Sequence, residues 1–568
     1  MKNLEIARIF YEIADILEVQ GVEFKPRAYR RAARSIEELS EDIAAVRKRG
    51  ELRGIPGVGE HIEKKIIEIL DTGKLKYYEK LKKEIPVDLE SLSRVEGLGP
   101  KKAMALYKKL GVRNLKDLEK AVKAGKVKGL PGFGRKSEEK MAASVGEAKK
   151  SASRLMISKA MPIVAELEGK LSKVAGVRKL ETVGSFRRRL PTVGDLDILV
   201  VSSKPKEVMG AFAKIEKGTK VLAKGPSKSS IKLPSGLQVD LRVFDEPSYG
   251  AAMMYFTGSK DHNVALRKIA MKKKWKLSEY GLFSGEKRLA GKTEQEVYKK
   301  LGMQWVPPEL RENMGEIEAA QKGKLPRLVE EKQIRGDLHT HTEWSEGKNT
   351  LEEMAAAGKA LGYEYMLISD HGGTLPKIAN PLNEKRLRKQ MAAIDRLNKK
   401  LRGIKLLKGT ETNILEDGSI DLPNSVLKDL DIVIASVHTK FKMSPRAMTK
   451  RILAAAENEH VDVIGHPTGR LLGSRKAFQY DLPSVADACK KSHTALEINC
   501  YPERLDLDYA NVKNARGKAK FTLGTDAHEK GSMKFMGLGV SQARKGWCTK
   551  KDILNTLALK DLRKFFKS

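Results

Sequence analysis

Two carboxylates one residue apart point to the first reaction this chain could carry. Residues 184–201 read Gly-Ser-Phe-Arg-Arg-Arg-Leu-Pro-Thr-Val-Gly-Asp-Leu-Asp-Ile-Leu-Val-Val. Side chains alternate along a strand, so Asp195 and Asp197 share one face while Leu196 and Ile198 turn to a core. Carboxylates so placed repel unless cations sit between them. A second strand pattern, Leu237-Gln238-Val239-Asp240-Leu241-Arg242-Val243, puts Asp240 on the face opposite Val239 and Leu241. Three such carboxylates can hold a pair of Mg²⁺ ions, which activate an attacking hydroxyl and stabilise a leaving oxygen. Magnesium suits carboxylates combined with substrate phosphate. Gly184 and Ser185 open a helix, and Ser185 with Arg187 or Arg188 is placed to meet a triphosphate.

The histidines point to a second reaction. Of ten, eight lie after residue 335, and six of these fall in short motifs. The motifs are Asp337-Leu338-His339-Thr340-His341, Asp370-His371-Gly372, Ser436-Val437-His438, Gly465-His466-Pro467 and Thr525-Asp526-Ala527-His528, with Glu411 in Gly409-Thr410-Glu411-Thr412. Imidazoles mixed with carboxylates suit Zn²⁺, Mn²⁺ or Fe²⁺ better than Mg²⁺ or Ca²⁺. His460 and His493 fit no motif and read as structural.

The elements that must position these groups follow from periodicity. After Arg335, short apolar strands at 366–369, 404–408, 431–437, 461–464, 495–499 and 520–523 alternate with helical stretches, which predicts a parallel α/β sheet or barrel. Each histidine motif follows one of these strands or, for the first, begins one, and functional residues of such barrels gather at C-terminal strand ends. Residues 312–333 are polar without strong period and read as a linker. The first 50 residues read as helix, and a second amphipathic stretch, Tyr29 to Val46, follows a break around Pro26.

Three near-repeats follow. Gly57-Val58-Gly59, Gly97-Leu98-Gly99 and Gly132-Phe133-Gly134 each precede a Lys-rich helical pattern. In a helix-hairpin-helix, such a turn offers backbone N–H groups at a helix start, which hold a DNA phosphate without reading sequence. Residues 101–150 carry fifteen Lys or Arg against five Asp or Glu, and the whole chain has 109 against 73, a net charge of +36. That excess favours a polyanionic partner, nucleic acid first. The three cysteines, Cys489, Cys500 and Cys548, form no C-x-x-C pair, which excludes a disulfide scaffold and a cysteine zinc site. No apolar run approaches a membrane span and no signal-peptide core is present, so a cytoplasmic location is expected.

These motifs resemble known families. Gly-Ser-Phe-Arg-Arg, Gly-Asp-x-Asp, Val-Asp-Leu-Arg and Tyr255-Phe256-Thr257-Gly258-Ser259 resemble the family X DNA polymerases, of which polymerase beta is the best-known type, across about residues 1–312. The resemblance implies metal binding by Asp195, Asp197 and Asp240. It implies triphosphate contacts from Gly184, Ser185, Arg188 and Gly194, and nucleotide contacts from Tyr255, Phe256, Gly258 and Asn263. Arg242 joins the hairpin glycines as a DNA contact. Lys260 and His262 depart from the animal enzymes, which bears on base contact and sugar selectivity. The family's lyase lysine aligns with Lys65, next to Lys64. A neutral amine there could attack an abasic-site aldehyde.

Residues 334–568 resemble the PHP metal-dependent phosphoesterases. The family pattern implies up to three ions, Mn²⁺ or Zn²⁺. One is held by His339, His341, Glu411 and Asp526, a second by Glu411, His438 and His466, and a third by His371, His528 and the acid of a Ser-Glu-Gly turn, here Glu346. Glu497 lies near that site. The implied architecture is multidomain: helical hairpin domains at 1–90 and 91–150, an α+β nucleotidyltransferase palm at 151–260, a thumb at 261–312, a linker at 313–333 and a distorted barrel at 334–568. The implied function is a monomeric repair polymerase filling gaps in DNA with deoxynucleoside triphosphates, with 3′–5′ exonuclease and abasic-site endonuclease activity from the PHP domain. A tailing or tRNA-end nucleotidyltransferase, a non-catalytic DNA-binding scaffold, and a polymerase with a purely structural PHP domain are the alternatives. The hairpins and the Tyr-Phe-Thr-Gly-Ser segment count against the first, and the intact metal ligands at both sites against the second; a PHP domain acting as a small-molecule phosphatase is a further alternative, and fusion to a DNA-binding chain favours a nucleic-acid substrate.

Overall fold

The computed structural model describes residues 2–37, 43–93, 95, 98–134, 138–139, 141–142, 145, 154–374 and 380–566. It divides into two compact units, Met1–Arg154 and Leu155–Ser568.

The described part of the first unit is helical. Helix Lys2–Val19 buries Ile6, Phe10, Ile13 and Leu17, an i, i+4, i+7, i+11 stripe, against Tyr29, Ala33 and Ile36 of helix Lys25–Glu37. The break expected around Pro26 falls at residues 20–24, between the two helices, and Pro26 itself lies just after it. It sits in the first turn of the second helix, where its missing N–H has no intrahelical partner to lose. Helices Glu60–Thr72 and Pro100–Leu110 start directly after Gly59 and Gly99, with no side chain capping either.

In the second unit a five-stranded sheet runs in the spatial order Val177–Thr182, Asp195–Ser202, Gln238–Phe244, Lys228–Lys232 and Lys220–Lys224, and only its second and third strands are parallel neighbours. Leu196, Ile198, Val200, Val239 and Leu241 face helices Ile157–Leu171 and Pro205–Ala213. The opposite face is left to Asp195, Asp197 and Asp240, and Leu199 on that face joins the packing of helix Tyr249–Thr257. A small three-stranded antiparallel sheet and helices Lys260–Lys272 and Glu294–Leu301 follow.

Residues 313–333 are not an open linker. Helix Glu316–Gln321 buries Ile317 and Ala320, and Leu328 joins the same cluster. Its polar composition misled because Glu316 is fully buried as the partner of His262.

The C-terminal region is a parallel sheet of seven strands in sequence order, from Gly336–Thr340 to Phe521–Gly524. Its ends meet: Thr340 bridges Ala527, and the His341 and Asp526 N–H groups donate to Ala527 and His339 carbonyls, so the sheet closes nearly into a barrel. Most strands are buried along their whole length, as expected with helices outside and side chains filling the interior. Side-chain caps fix the helix starts, among them the Thr350–Glu353 capping box.

Candidate active sites

The strand register brings the palm carboxylates together. Asp197 lies opposite Asp240 on the adjacent parallel strand, with Asp195 two residues away on the same face. Burial, then Asp195 and Asp240, push the Asp197 carboxyl up to about 6. Such mutual repulsion is what a bound cation relieves. Gly184 abuts this group with φ +67°, and a Cβ there would stand 3.1 Å from Asp197 Oδ2. Glycine therefore suits this corner, which turns the Gly184–Arg187 helix toward the carboxylates.

Other expected nucleotide contacts surround it. Ser185, Arg188 and Gly194 are half-buried, as are Tyr255 and Phe256, whose rings meet edge to face with centroids 5.0 Å apart. Asn263 donates to the Tyr255 carbonyl at 2.6 Å, and its Oδ1 is a buried acceptor without a donor among the described residues. Gly258 carries φ +70° beside the Arg188 guanidinium. Arg242 stacks on the Phe256 ring, 4.5 Å from its centroid. Of the two motif arginines, Arg187 is committed to Thr257 and, through Nη1 and Nη2, to Glu294 at 2.8 and 3.0 Å. His262 is not in the nucleotide-contact surface. It is fully buried, with Nδ1 2.6 Å from Glu316 and Nε2 2.8 Å from the Tyr298 hydroxyl.

In the first unit, Gly57 has φ +84° and a Cβ would lie 2.9 Å from the Ala32 backbone nitrogen, so this turn needs glycine. Gly59 and Gly99 precede uncapped helix starts, and Gly132 and Gly134 flank buried Phe133. Gly97 lies outside the described residues. Lys65 is half-buried, donates to the His61 carbonyl at 3.3 Å and stands 5.1 Å over the Tyr77 ring. Burial lowers its pKa against the pull of Glu68. Its neighbour Lys64 is exposed and paired with Glu60 at 2.8 Å.

In the barrel, six strand ends converge on Glu411. His339 Nε2 lies 3.3 Å from Glu411 Oε2 and 3.7 Å from Asp526 Oδ1, and His341 Nε2 lies 3.3 Å from Asp526 Oδ1. His371 Nδ1 and His438 Nε2 each approach Glu411 at 3.2 Å. Glu346 reaches His341, His371 and His528 at 3.3, 3.4 and 2.9 Å. Three groups have all their ligand atoms within 4.8 Å: His339, His341, Glu411 and Asp526; His371, Glu411 and His438; and His341, Glu346, His371 and His528. The first matches the expected set. The second takes His371 in place of His466, which instead lies 2.8 Å from Glu411 Oε1. The third gains His341. His341 and His371 turn different nitrogens to different groups, and a neutral imidazole ligates through only one, so each serves one ion at a time.

The donor set fits divalent metal. His339 Nε2, both ring nitrogens of His341, His371 Nδ1, His438 Nε2 and Glu346 Oε2 are buried without hydrogen-bond partners among the described residues. Burial pushes Glu411 up, but the imidazoles of His371, His438 and His339 outweigh it and hold the carboxyl well below its usual range. Burial lowers His371 to about 3, whereas nearby carboxylates overcome burial and raise His339 and His528, the latter to about 9, so metal binding there would release protons.

Several residues that shape this site were not singled out. Asn413 Oδ1 faces His438 Nδ1 at 2.8 Å, and buried Asp370 accepts from Thr342, Ser345 and Gln390, which fixes the loop carrying Glu346. Arg504 donates to Asp526 at 3.1 Å. Glu497, expected near the site, holds His339 Nδ1 at 2.6 Å and the His466 N–H at 2.6 Å. The i, i+2 spacing of Glu411 and Asn413 was the available signal, since it places both on one face. His460 and His493 lie away from the cluster, beside Glu459 and Phe565.

Residues 1–75 match a helix-hairpin-helix domain, 89–147 a SAM-like helix-hairpin-helix tandem, 252–312 the DNA polymerase beta thumb and 337–500 the PHP domain. The chain is 38% identical over 573 residues to "DNA polymerase/3'-5' exonuclease PolX" of Bacillus subtilis, with both chains covered completely. A "probable phosphatase" of Thermoanaerobacter pseudethanolicus is 36% identical over 168 residues, 29% of this chain and 63% of that one. Another "probable phosphatase", from Syntrophotalea carbinolica, is 28% identical over 204 residues, 34% of this chain and 79% of that one.

Proposed function

The chain belongs to the family X DNA polymerases that join helix-hairpin-helix domains and a polymerase beta thumb to a C-terminal PHP domain, and from that premise we propose how its two activities are divided. It is a DNA polymerase and a 3′–5′ exonuclease. Nucleotide addition rests on Asp195, Asp197 and Asp240, and 3′ trimming on the barrel cluster. The observation that carries the first assignment is the register of Asp197 opposite Asp240 beside Asp195.

In this reading Mg²⁺ is held by the three palm carboxylates, and Mn²⁺ or Zn²⁺ by the histidine groups. The bound ions supply Lewis acidity at the phosphoryl oxygens. The chain's own residues do the positioning. Ser185, Arg188 and the Gly184 and Gly194 backbone meet the triphosphate. Tyr255 and Phe256 pack on the sugar, and Asn263 offers its unpaired acceptor to the nucleotide. The hairpin turns hold DNA phosphates with backbone N–H groups, and Arg242 supports the template side. Glu497 and Asn413 orient His339 and His438 so that Nε2 of each faces inward.

The substrate is gapped or primed DNA with deoxynucleoside triphosphates, and the role is repair in the cytoplasm as a monomer. Lys65 supports an abasic-site lyase, since its partial burial favours the neutral amine. The barrel site supports an abasic-site endonuclease by the same hydrolytic chemistry. Among the described residues no helix is long and apolar enough to cross a membrane. The division at residues 90, 150, 260, 312 and 333 belongs to this reading, with 313–333 packed on the thumb.

Primer extension across a one-nucleotide gap by Asp240→Ala tests the palm assignment. Addition should vanish while DNA binding persists, because a metal ligand and not a phosphate contact is removed. Extension at the wild-type rate would refute it.

A further inference from the structure

The polymerase and PHP regions meet at the nucleotide-binding motif itself. Phe186, inside Gly-Ser-Phe-Arg-Arg, packs on Leu505 and Leu538 from the PHP side and on Ile157 from the palm. Beside it, Lys545 ends helix Met536–Lys545 with a fully buried side chain. Its Nζ donates to Glu312 Oε1 at 2.8 Å, to the Arg188 carbonyl at 3.1 Å and to the Glu309 carbonyl at 3.2 Å. All three ammonium donors are thus used, and the Tyr509 ring lies 4.6 Å away. The same Glu312 Oε1 accepts from Arg188 Nε at 3.0 Å, while Arg188 Nη1 donates to the Thr257 carbonyl at 2.5 Å. Arg188 Nη2 has no protein acceptor among the described residues, which leaves it for an outside anion.

We propose that Lys545 of the PHP domain is a positioning residue for nucleotide binding by the polymerase, acting through Glu312 on Arg188. The inference rests on the reading that Arg188 meets the triphosphate. Lys545 fixes the Glu312 carboxylate and the Arg188 carbonyl, and Glu312 in turn holds Arg188 Nε, so the guanidinium keeps one orientation. The phosphoesterase domain is in this sense part of the polymerase's nucleotide site.

The test uses the full chain on gapped DNA, with KM for the nucleotide, kcat and 3′ trimming measured for each variant. Lys545→Met should raise KM about tenfold or more, the effect of losing one charge-assisted bond, with kcat little changed. Trimming should persist and report that the PHP domain is folded. Arg544→Met removes a neighbouring ion pair across the same interface, with Glu309 at 2.8 Å, and should leave KM near wild type. If both variants raise KM alike, the contact is only structural and the proposal fails. Glu312→Gln breaks the bridge without altering the PHP domain and should also raise KM. The double variant Glu312→Gln/Lys545→Met should be no worse than the worse single one, whereas multiplied effects would refute the bridge. Should Lys545→Met not fold, an unchanged KM in Glu312→Gln overturns the proposal by itself. Arg188→Ala separates the premise: if it leaves KM unchanged, the triphosphate reading is at fault. If it raises KM while Lys545→Met does not, only the present inference falls.

Discussion

Replacing Glu294 by glutamine should loosen the thumb by about 3 kcal/mol near neutral pH. Glu294 is buried and receives both Arg187 nitrogens, Arg311 Nη1 at 2.7 Å and Trp305 Nε1 at 3.1 Å. Burial pushes its carboxyl up, but Arg311 and Arg187 overcome that and hold it at about 2, against 4.5 ordinarily. At 1.36 kcal/mol per pKa unit, that difference corresponds to about 3 kcal/mol of folding free energy. The size agrees with the roughly 3–5 kcal/mol lost when one partner of a buried ion pair is removed, since Arg311 would remain buried and uncompensated. The folded value is depressed, so the contribution is complete above the unfolded value and fades as pH falls toward about 2. By linkage, about 0.8 kcal/mol is gone at pH 4 and about 2 kcal/mol at pH 3. Native-state hydrogen exchange of the slowest amides in helix Glu294–Leu301 reads this locally, without requiring the multidomain chain to unfold in one step. A difference between wild type and Glu294→Gln below about 1 kcal/mol at neutral pH, or one that does not shrink with acidification, would show that the ionised Glu294 does not hold the thumb together.

Three further outcomes follow. Lys65→Ala should abolish borohydride trapping on incised abasic DNA; trapping that persists would move the nucleophile to another lysine. Glu497→Gln should cost about 10–100-fold in metal affinity at the barrel site, measured by metal content after dialysis, because it releases His339 Nδ1. DNA affinity should fall steeply and linearly on a log–log salt plot with almost no sequence preference, and a flat plot would contradict phosphate-dominated binding.

Much of this was legible in the chain because strand patterns are local. Alternation alone placed Asp195 and Asp197 on one face, and the strand at Ala495–Asn499 has the expected bounds. The strand expected to end at residue 408 runs to Asn413. Its second half, Gly-Thr-Glu-Thr-Asn, is polar yet buried, because Glu411 and Asn413 line the site and face its histidines. Partners distant in sequence were not legible. His339 and Glu497 are 158 residues apart and meet only because the barrel closes. The packing of residues 313–333 was hidden for the same reason: Glu316 looks like a surface acid until His262 is placed against it.

The proposed division gives one chain two separate sites, one adding nucleotides and one removing them. It is tested most directly with a 5′-labelled primer on gapped DNA, incubated with Mn²⁺, with and without nucleotides, for wild type, Asp240→Ala and Glu411→Ala. Asp240→Ala should trim but not extend, and Glu411→Ala should extend but not trim, with its metal content reduced. Trimming that survives in Glu411→Ala, or extension that is lost with it, would rule out two separate sites.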